Sequence, residues 1–290
     1  MIPCLLALST LFQPAPSTYS IRAVVSDAKG APVRDLEAGD VSLTEARVTL
    51  QVTRFEKDDR PALVALLIDS SEAAASTYRV EFIAAAKAFI ASLPETTRLS
   101  VWTSGDRPVK VIDDISLGEE GASRGIESRL GRIAPTGGNT ILDALVEASA
   151  DLQKKEGGRR IVVFLSGIGP GFSNDNRQGI VDRVMKTGVE VAGVAVSAKG
   201  EPSAGGELSE EDYDFVFGSL TEDTAGRLER ALTAMGTSAA LQRVAADLRC
   251  TYRLSYLQTR DSRRSRIALQ VARPSVKVRL SVPRKETSSP

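Results

Sequence analysis

The ends of the chain and its middle follow different hydrophobic rhythms. Near the start, Tyr19, Ile21, Ala23 and Val25 alternate with Ser20, Arg22 and Ser26, the period of a half-buried strand. Gly30 and Pro32 mark a turn in DAKGAPV, after which DVSLTE and VTLQVTRF alternate again. Near the other end, Ile267, Leu269 and Val271 alternate with Ala268 and Gln270. Beyond Pro274, Val276, Val278, Leu280 and Val282 alternate with Lys277, Arg279 and Ser281. Such segments are expected as antiparallel strands with one face in water.

The middle carries continuous apolar runs instead. ALVALLID (62–69), RRIVVFLSG and GVEVAGVAVS read as strands covered on both faces, and RLSVWTS as a further strand. Between them, Tyr78, Phe82, Ile83, Ala86, Phe89 and Ile90 share one helical face, as do Ile141, Leu142, Leu145, Ala148 and Leu152. Further helices are expected near 174–187 and over 237–249. Strands alternating with helices predict an α/β fold, a doubly wound, mostly parallel sheet with helices on both faces. That domain is placed at 59–248.

Neither end has enough strands to close a core alone. Segments 18–58 and 249–284 are therefore expected to pair in a small all-β sandwich, with the α/β domain inserted in it and 285–290 as a tail. The polar, Gly-rich and acidic stretch 197–214 reads as a solvated loop. A weak divalent-cation site on its carboxylates is the lesser alternative.

Composition then removes whole classes of chemistry. Lys+Arg and Asp+Glu balance at 37 each, so a nucleic-acid partner is not expected. Histidine is absent, which excludes a Ser-His-Asp triad, a Cys-His pair and a His-ligated zinc. Cys4 and Cys250 are far apart and show no metal-ligand spacing; Cys250 reads as a small core or interface residue. The opening MIPCLLALSTLFQPAPSTYS has an apolar stretch from Ile2 to Phe12 and a small-x-small site at Ala15-Pro16-Ser17. We expect a signal peptide over 1–17 and export to the periplasm or exterior, although no Lys or Arg precedes the apolar stretch. The alternative is a buried N-terminal strand. No later segment is long and apolar enough to be expected as a transmembrane span.

Ligands of open α/β sheets bind beyond the carboxyl ends of the strands. Three loops fall there: IDSSEA after the first buried strand, PTGGNTILDAL (135–145), and FLSGIGPG (164–171). Their order resembles the von Willebrand factor type A domain. With VSDAKGAPVRDLEAGDVSLTE, TAGRLERA and DLRCTYRLSYL, the order over nearly the whole chain resembles a bacterial, predicted-exported subgroup in which β-segments flank that domain.

The resemblance implies a metal-ion-dependent adhesion site built from Asp-x-Ser-x-Ser, a Thr in a Gly-Gly-Thr-like loop and an Asp in a Thr-Asp-Gly-like loop. Asp69 and Ser71 match the first two ligands, and Ala73 replaces the second serine. Asn139 falls where the threonine belongs, with Thr140 beside it. Ser166 matches the next threonine, and Gly167 stands in place of the aspartate. Glu72 lies at an x position. Mg²⁺ demands near-octahedral oxygens and sheds water reluctantly, so these losses matter. Asp69, Ser71, Asn139 and Thr140 are expected to form a vestigial metal site, with Asp69 and Ser71 capping the next helix and satisfying loop amides.

No cofactor and no catalytic residue is expected. The leading reading is a non-enzymatic protein-interaction or adhesion module that is metal-independent, with an unknown protein partner. The first alternative is Mg²⁺-dependent adhesion through a reduced ligand set. A remote one is a nucleotide-binding enzyme using GIGPG, which lacks the further glycine at Phe172 and any Gly-Lys-Ser/Thr motif. A hydrolase would need two carboxylates facing a cleft; only Asp69 is placed, since Asp143 reads as an acidic residue in the first turn of a helix.

Overall fold

The computed structural model describes residues 17–169, 171–197, 208–258 and 267–286. The expected signal segment and most of the 197–214 stretch lie outside them. Three strands come first: β1 (Ser17–Ser26), β2 (Val41–Glu45) and β3 (Val48–Lys57). A central set follows: β4 (Ala62–Asp69), β5 (Arg98–Ser104), β6 (Pro108–Ser116), β7 (Arg159–Ile168), β8 (Glu190–Ser197) and β9 (Leu228–Ala231). The last set is β10 (Thr251–Gln258), β11 (Ile267–Val271), β12 (Lys277–Leu280) and β13 (Arg284–Lys285). The helices are α1 (Ala75–Thr77), α2 (Ile83–Ser92), α3 (Ala122–Leu130), α4 (Ile141–Gln153), α5 (Arg177–Thr187), α6 (Glu210–Asp223) and α7 (Thr237–Leu248).

The central set forms a six-stranded sheet in the order β6-β5-β4-β7-β8-β9. Every pair is parallel except β5 with β6, an antiparallel edge. The apolar run of β4 is explained by its two faces. Val64, Leu66 and Ile68 pack in a core with Phe82, Phe89, Ile126, Leu241 and Val244. Leu63, Ala65 and Leu67 point the other way, against Leu142, Leu145, Ile180 and Phe217. A strand covered on both faces cannot alternate.

The terminal segments form one seven-stranded antiparallel sheet, β11-β2-β3-β10-β1-β12 with β13 beside β1. It curls until its two ends, β11 and β12, approach. Curling lets one sheet enclose Ile21, Val25, Leu43, Tyr252, Leu254, Tyr256 and Leu269, as two facing sheets would. Cys250 is fully buried in this core, its thiol donating to the Val33 carbonyl at 3.0 Å.

One expectation needs correcting. The acidic stretch is not wholly a solvated loop, because its last residues open α6. Ser209 accepts from the Asp212 amide, and Asp212 accepts from the Ser209 amide at 2.9 Å, a reciprocal cap. Glu210, Glu211 and Asp212 occupy the first turn, where negative charge suits the helix dipole. Tyr213 is fully buried immediately afterwards.

A buried ion network at the amino ends of the parallel strands joins the two units. Arg159, first residue of β7, meets Glu190, first residue of β8, at 2.8 Å and 3.2 Å. It also donates to the Leu248 carbonyl at 2.7 Å and to the Thr251 hydroxyl at 2.9 Å, on the approach to β10. Arg22 of β1 lies 3.8 Å from Glu190. Although burial works against its charge, the arginines hold the Glu190 carboxyl below its ordinary range. A second tie runs through Asp247 of α7, bound by Arg227 at 2.5 Å and by Arg279 of β12.

Removing one member of such a network strands a buried charge. We expect Arg159→Met to cost about 3–5 kcal/mol of unfolding free energy, and Arg159→Met with Glu190→Gln to recover part of it. Urea denaturation measures both; a double variant weaker than the single one contradicts the pairing.

Candidate functional site

The carboxyl ends of β4 and β7 bring Asp69, Ser166 and Gly167 to one point, and the loop before α4 adds Asn139. Asp69 is 1% exposed. Its Oδ1 accepts the Ser71 amide at 2.9 Å. Its Oδ2 accepts the Gly167 amide and the Asn139 side-chain amide, both at 2.9 Å. Asn139 Nδ2 also lies 3.1 Å from the Gly167 carbonyl and 3.4 Å from the Ser166 hydroxyl. One NH₂ group is thus surrounded by oxygens of three residues.

The direction of that amide is fixed by its other end. Asn139 Oδ1 accepts the Ile141 backbone N–H at 2.9 Å, so it satisfies an otherwise free donor at the start of α4. The nitrogen must then face Asp69. Asparagine does this and threonine cannot, because only the amide carries an acceptor and a double donor on one plane.

The other predicted residues divide. Ser71 meets Asp69 through its backbone. Its hydroxyl is buried and makes no hydrogen bond of good geometry, and it does not cap the following helix as expected. Thr140 is turned away, donating to the Gly105 carbonyl at 3.1 Å. Ala73 is exposed. Asp143 does lie in the first turn of α4, but it also pins the next loop, accepting Ser173 Oγ and Asn174 Nδ2, each at 2.6 Å.

That loop closes over the site. Phe172 N–H donates to the Asn139 carbonyl at 2.9 Å, and Leu208 N–H to the Gly171 carbonyl at 3.1 Å. A β-carbon on Gly171 would sit 1.9 Å from the Tyr213 hydroxyl, so only glycine fits. These contacts escaped the sequence reading because they join residues far apart in the chain. The one legible trace was the Ser209-x-x-Asp212 capping pattern before apolar Tyr213, Val216, Phe217 and Leu220.

The donors around Asp69 do not fit a magnesium ion. The place beside Oδ2 is filled by an amide nitrogen, which cannot ligate a hard cation. Gly167 has no side chain, so no second carboxylate faces Oδ2 at the point where one would begin 3.1 Å away. Among the described residues, no three His, Cys, Asp or Glu side chains gather as a metal-binding group. The Gly167 amide is likewise committed to Asp69 rather than to a phosphate.

The comparisons with known proteins agree with the architecture. The profile of the von Willebrand factor type A domain matches residues 64–231. The chain belongs to the von Willebrand factor type A family. Solved structures with this fold include proximal thread matrix protein 1 from the mussel byssus, at 18% identity and a TM-score of 0.52, covering 71% of this chain and 51% of that one. A von Willebrand factor type A protein from Catenulispora acidiphila has 10% identity, a TM-score of 0.52 and coverage of 93% and 71%. The von Willebrand factor domain of the type V pili tip protein Mfa5 from Porphyromonas gingivalis has 9% identity, a TM-score of 0.52 and coverage of 65% and 95%. The chain thus spans about half of the mussel protein's length. No curated protein sequence matches it.

Burial pushes the Asp69 carboxyl up to about 6, against the opposing pull of Ser71 and the Gly167 amide. Its folded-state value exceeds the ordinary 3.8, so its contribution favours the fold below that pH and is lost as pH rises through about 6. Relative to Asp69→Asn, the unsubstituted type A protein should therefore gain stability on acidification from about pH 7 to about pH 4. Urea melts across that range decide; a relative loss on acidification contradicts the burial account.

Proposed function

We propose that this type A protein is an exported, non-enzymatic interaction module of the adhesion type, and that it works without a metal ion. The observation carrying this reading is the Asn139 amide against Asp69, Ser166 and Gly167. In the family's metal-dependent mode, a cation neutralises the buried aspartate and takes its last oxygen from an acidic group of the partner. Here a neutral donor of this chain meets Asp69 instead. The carboxylate is satisfied internally and leaves no open coordination position to offer a partner.

What remains for recognition is the surface around the closed site. Leu232 and Met235 follow β9 at the same edge of the sheet and are 73% and 86% exposed. Val80 and Phe172 are exposed near that edge as well. Isolated apolar residues are ordinary on surfaces, but these share the edge at which α/β sheets bind ligands. Relatives of this fold named as a byssus thread matrix protein and a pilus tip protein support an adhesive role. Export rests on the opening sequence pattern. No described helix is long and apolar enough to cross a membrane.

Thermal melts in EDTA and then in excess Mg²⁺ or Mn²⁺ test the metal-free reading. The unsubstituted protein should show the same melting temperature in both. The variant Ala73→Ser/Asn139→Thr/Gly167→Asp, which supplies the family's ligands, should melt lower in EDTA and recover with Mg²⁺. A Mg²⁺-dependent rise in the unsubstituted protein, abolished by Asp69→Ala, would establish the metal-dependent alternative.

A further inference from the structure

At the edge of the central sheet opposite Asp69, the two structural units leave a cavity of about 300 Å³. The chain as a whole is electrically balanced, with 37 basic and 37 acidic residues. The cavity is not. Arg34, Lys57, Arg60, Arg159 and Arg249 line it, against Asp58 and Asp59 as its only acidic lining residues.

Most of these charges are already engaged. Arg60 clasps Asp58 with bonds of 2.7 Å and 2.6 Å. Lys57 meets Asp59 at 2.8 Å, and Arg159 is held by Glu190. Arg34 and Arg249 are different. Both are exposed, and neither side chain has a hydrogen bond or an ion pair among the described residues. They are far apart in the chain, Arg34 in the segment before β2 and Arg249 just after α7, yet they line the same opening.

Two further features point the same way. The Leu248 carbonyl, at the negative end of α7, is occupied by Arg159, which blunts its repulsion of an anion. Thr97 belongs to the cavity lining, and its buried hydroxyl has no partner among the described residues. Native structures leave few such groups unsatisfied. Below the charged rim, Ala62, Val64, Leu93 and Ile161 supply apolar lining. A volume of this size lies at the lower end of those that hold small molecules.

We infer that this cavity binds a small organic oxyanion, a phosphate or carboxylate on a short apolar body, clasped between Arg34 and Arg249. Two guanidinium groups that line one opening, and whose own side chains are not engaged by Asp58 or Asp59, are suited to a planar or tetrahedral oxyanion. The site is independent of Asp69 and of the metal question. Because it bridges the units, a bound anion would also tie the terminal sheet to the α/β domain.

Isothermal titration of the whole chain tests this, with phenyl phosphate and benzoate as probes, inorganic phosphate as the bare anion and phenol as the neutral body. Phenyl phosphate or benzoate should bind at one site per chain, more weakly as sodium chloride is raised. Arg34→Ala and Arg249→Ala should each weaken binding by about tenfold or more. Both side chains are exposed, so unchanged melting temperatures should accompany the loss. Inorganic phosphate should bind more weakly than phenyl phosphate, and phenol not at all. Absence of saturable heat with both organic anions would overturn the inference. So would an affinity unchanged in both arginine variants, or phenol binding as well as phenyl phosphate.

Discussion

A carboxylate buried at the end of a central strand must be compensated, and the means of compensation governs this molecule's active edge. Asp69 is compensated in part by three N–H groups, one from its own loop, one from β7 and one from the Asn139 side chain. The last of these is the decisive choice. An amide donor is neutral, directional and permanent, whereas a cation is charged, exchangeable and open to ligands from outside. With Asn139 in place, the strand end is a closed polar cluster. It organises three loops, but on our reading it has nothing to exchange with a partner.

Closure of the cluster depends on the frame behind it. The register of β4 with β7 places Asp69 near Gly167, and burial of both faces of β4 leaves that register little freedom to slip. At the far end of the same strands, the Arg159–Glu190 network fixes where β7 and β8 begin relative to the terminal sheet. The molecule thus carries buried charge at both edges of one sheet. The amino edge balances ions with ions and joins two units; the carboxyl edge balances one ion with amides and shapes a surface.

The fold was largely legible because its signals are local. Continuous apolar runs against alternating ones separated the covered sheet from the half-exposed one, and the three loops fell in order along the chain. The position of Asp69 was legible for the same reason. The function of Asn139 was not. Read along the sequence, it stood only where a threonine belongs, and Thr140 beside it looked an equal candidate. Which of the two faces Asp69 depends on how the loop enters α4, where the Asn139 oxygen takes the Ile141 amide and Thr140 swings to Gly105. Asp143 was likewise visible as a helix-start acid, but its grip on Ser173 and Asn174 exists only in three dimensions. The start of α6 was hidden by composition: a run of acids reads as solvated chain until the Ser209–Asp212 cap and buried Tyr213 are taken together.

The Asn139 side-chain amide can be observed directly by ¹⁵N-resolved NMR, in EDTA and again with excess Mg²⁺. If it stands where a cation would otherwise sit, its two protons should exchange slowly with water, and its signals should not move on adding the metal. Rapidly exchanging protons, or signals displaced by Mg²⁺ in a saturable manner, would contradict the account.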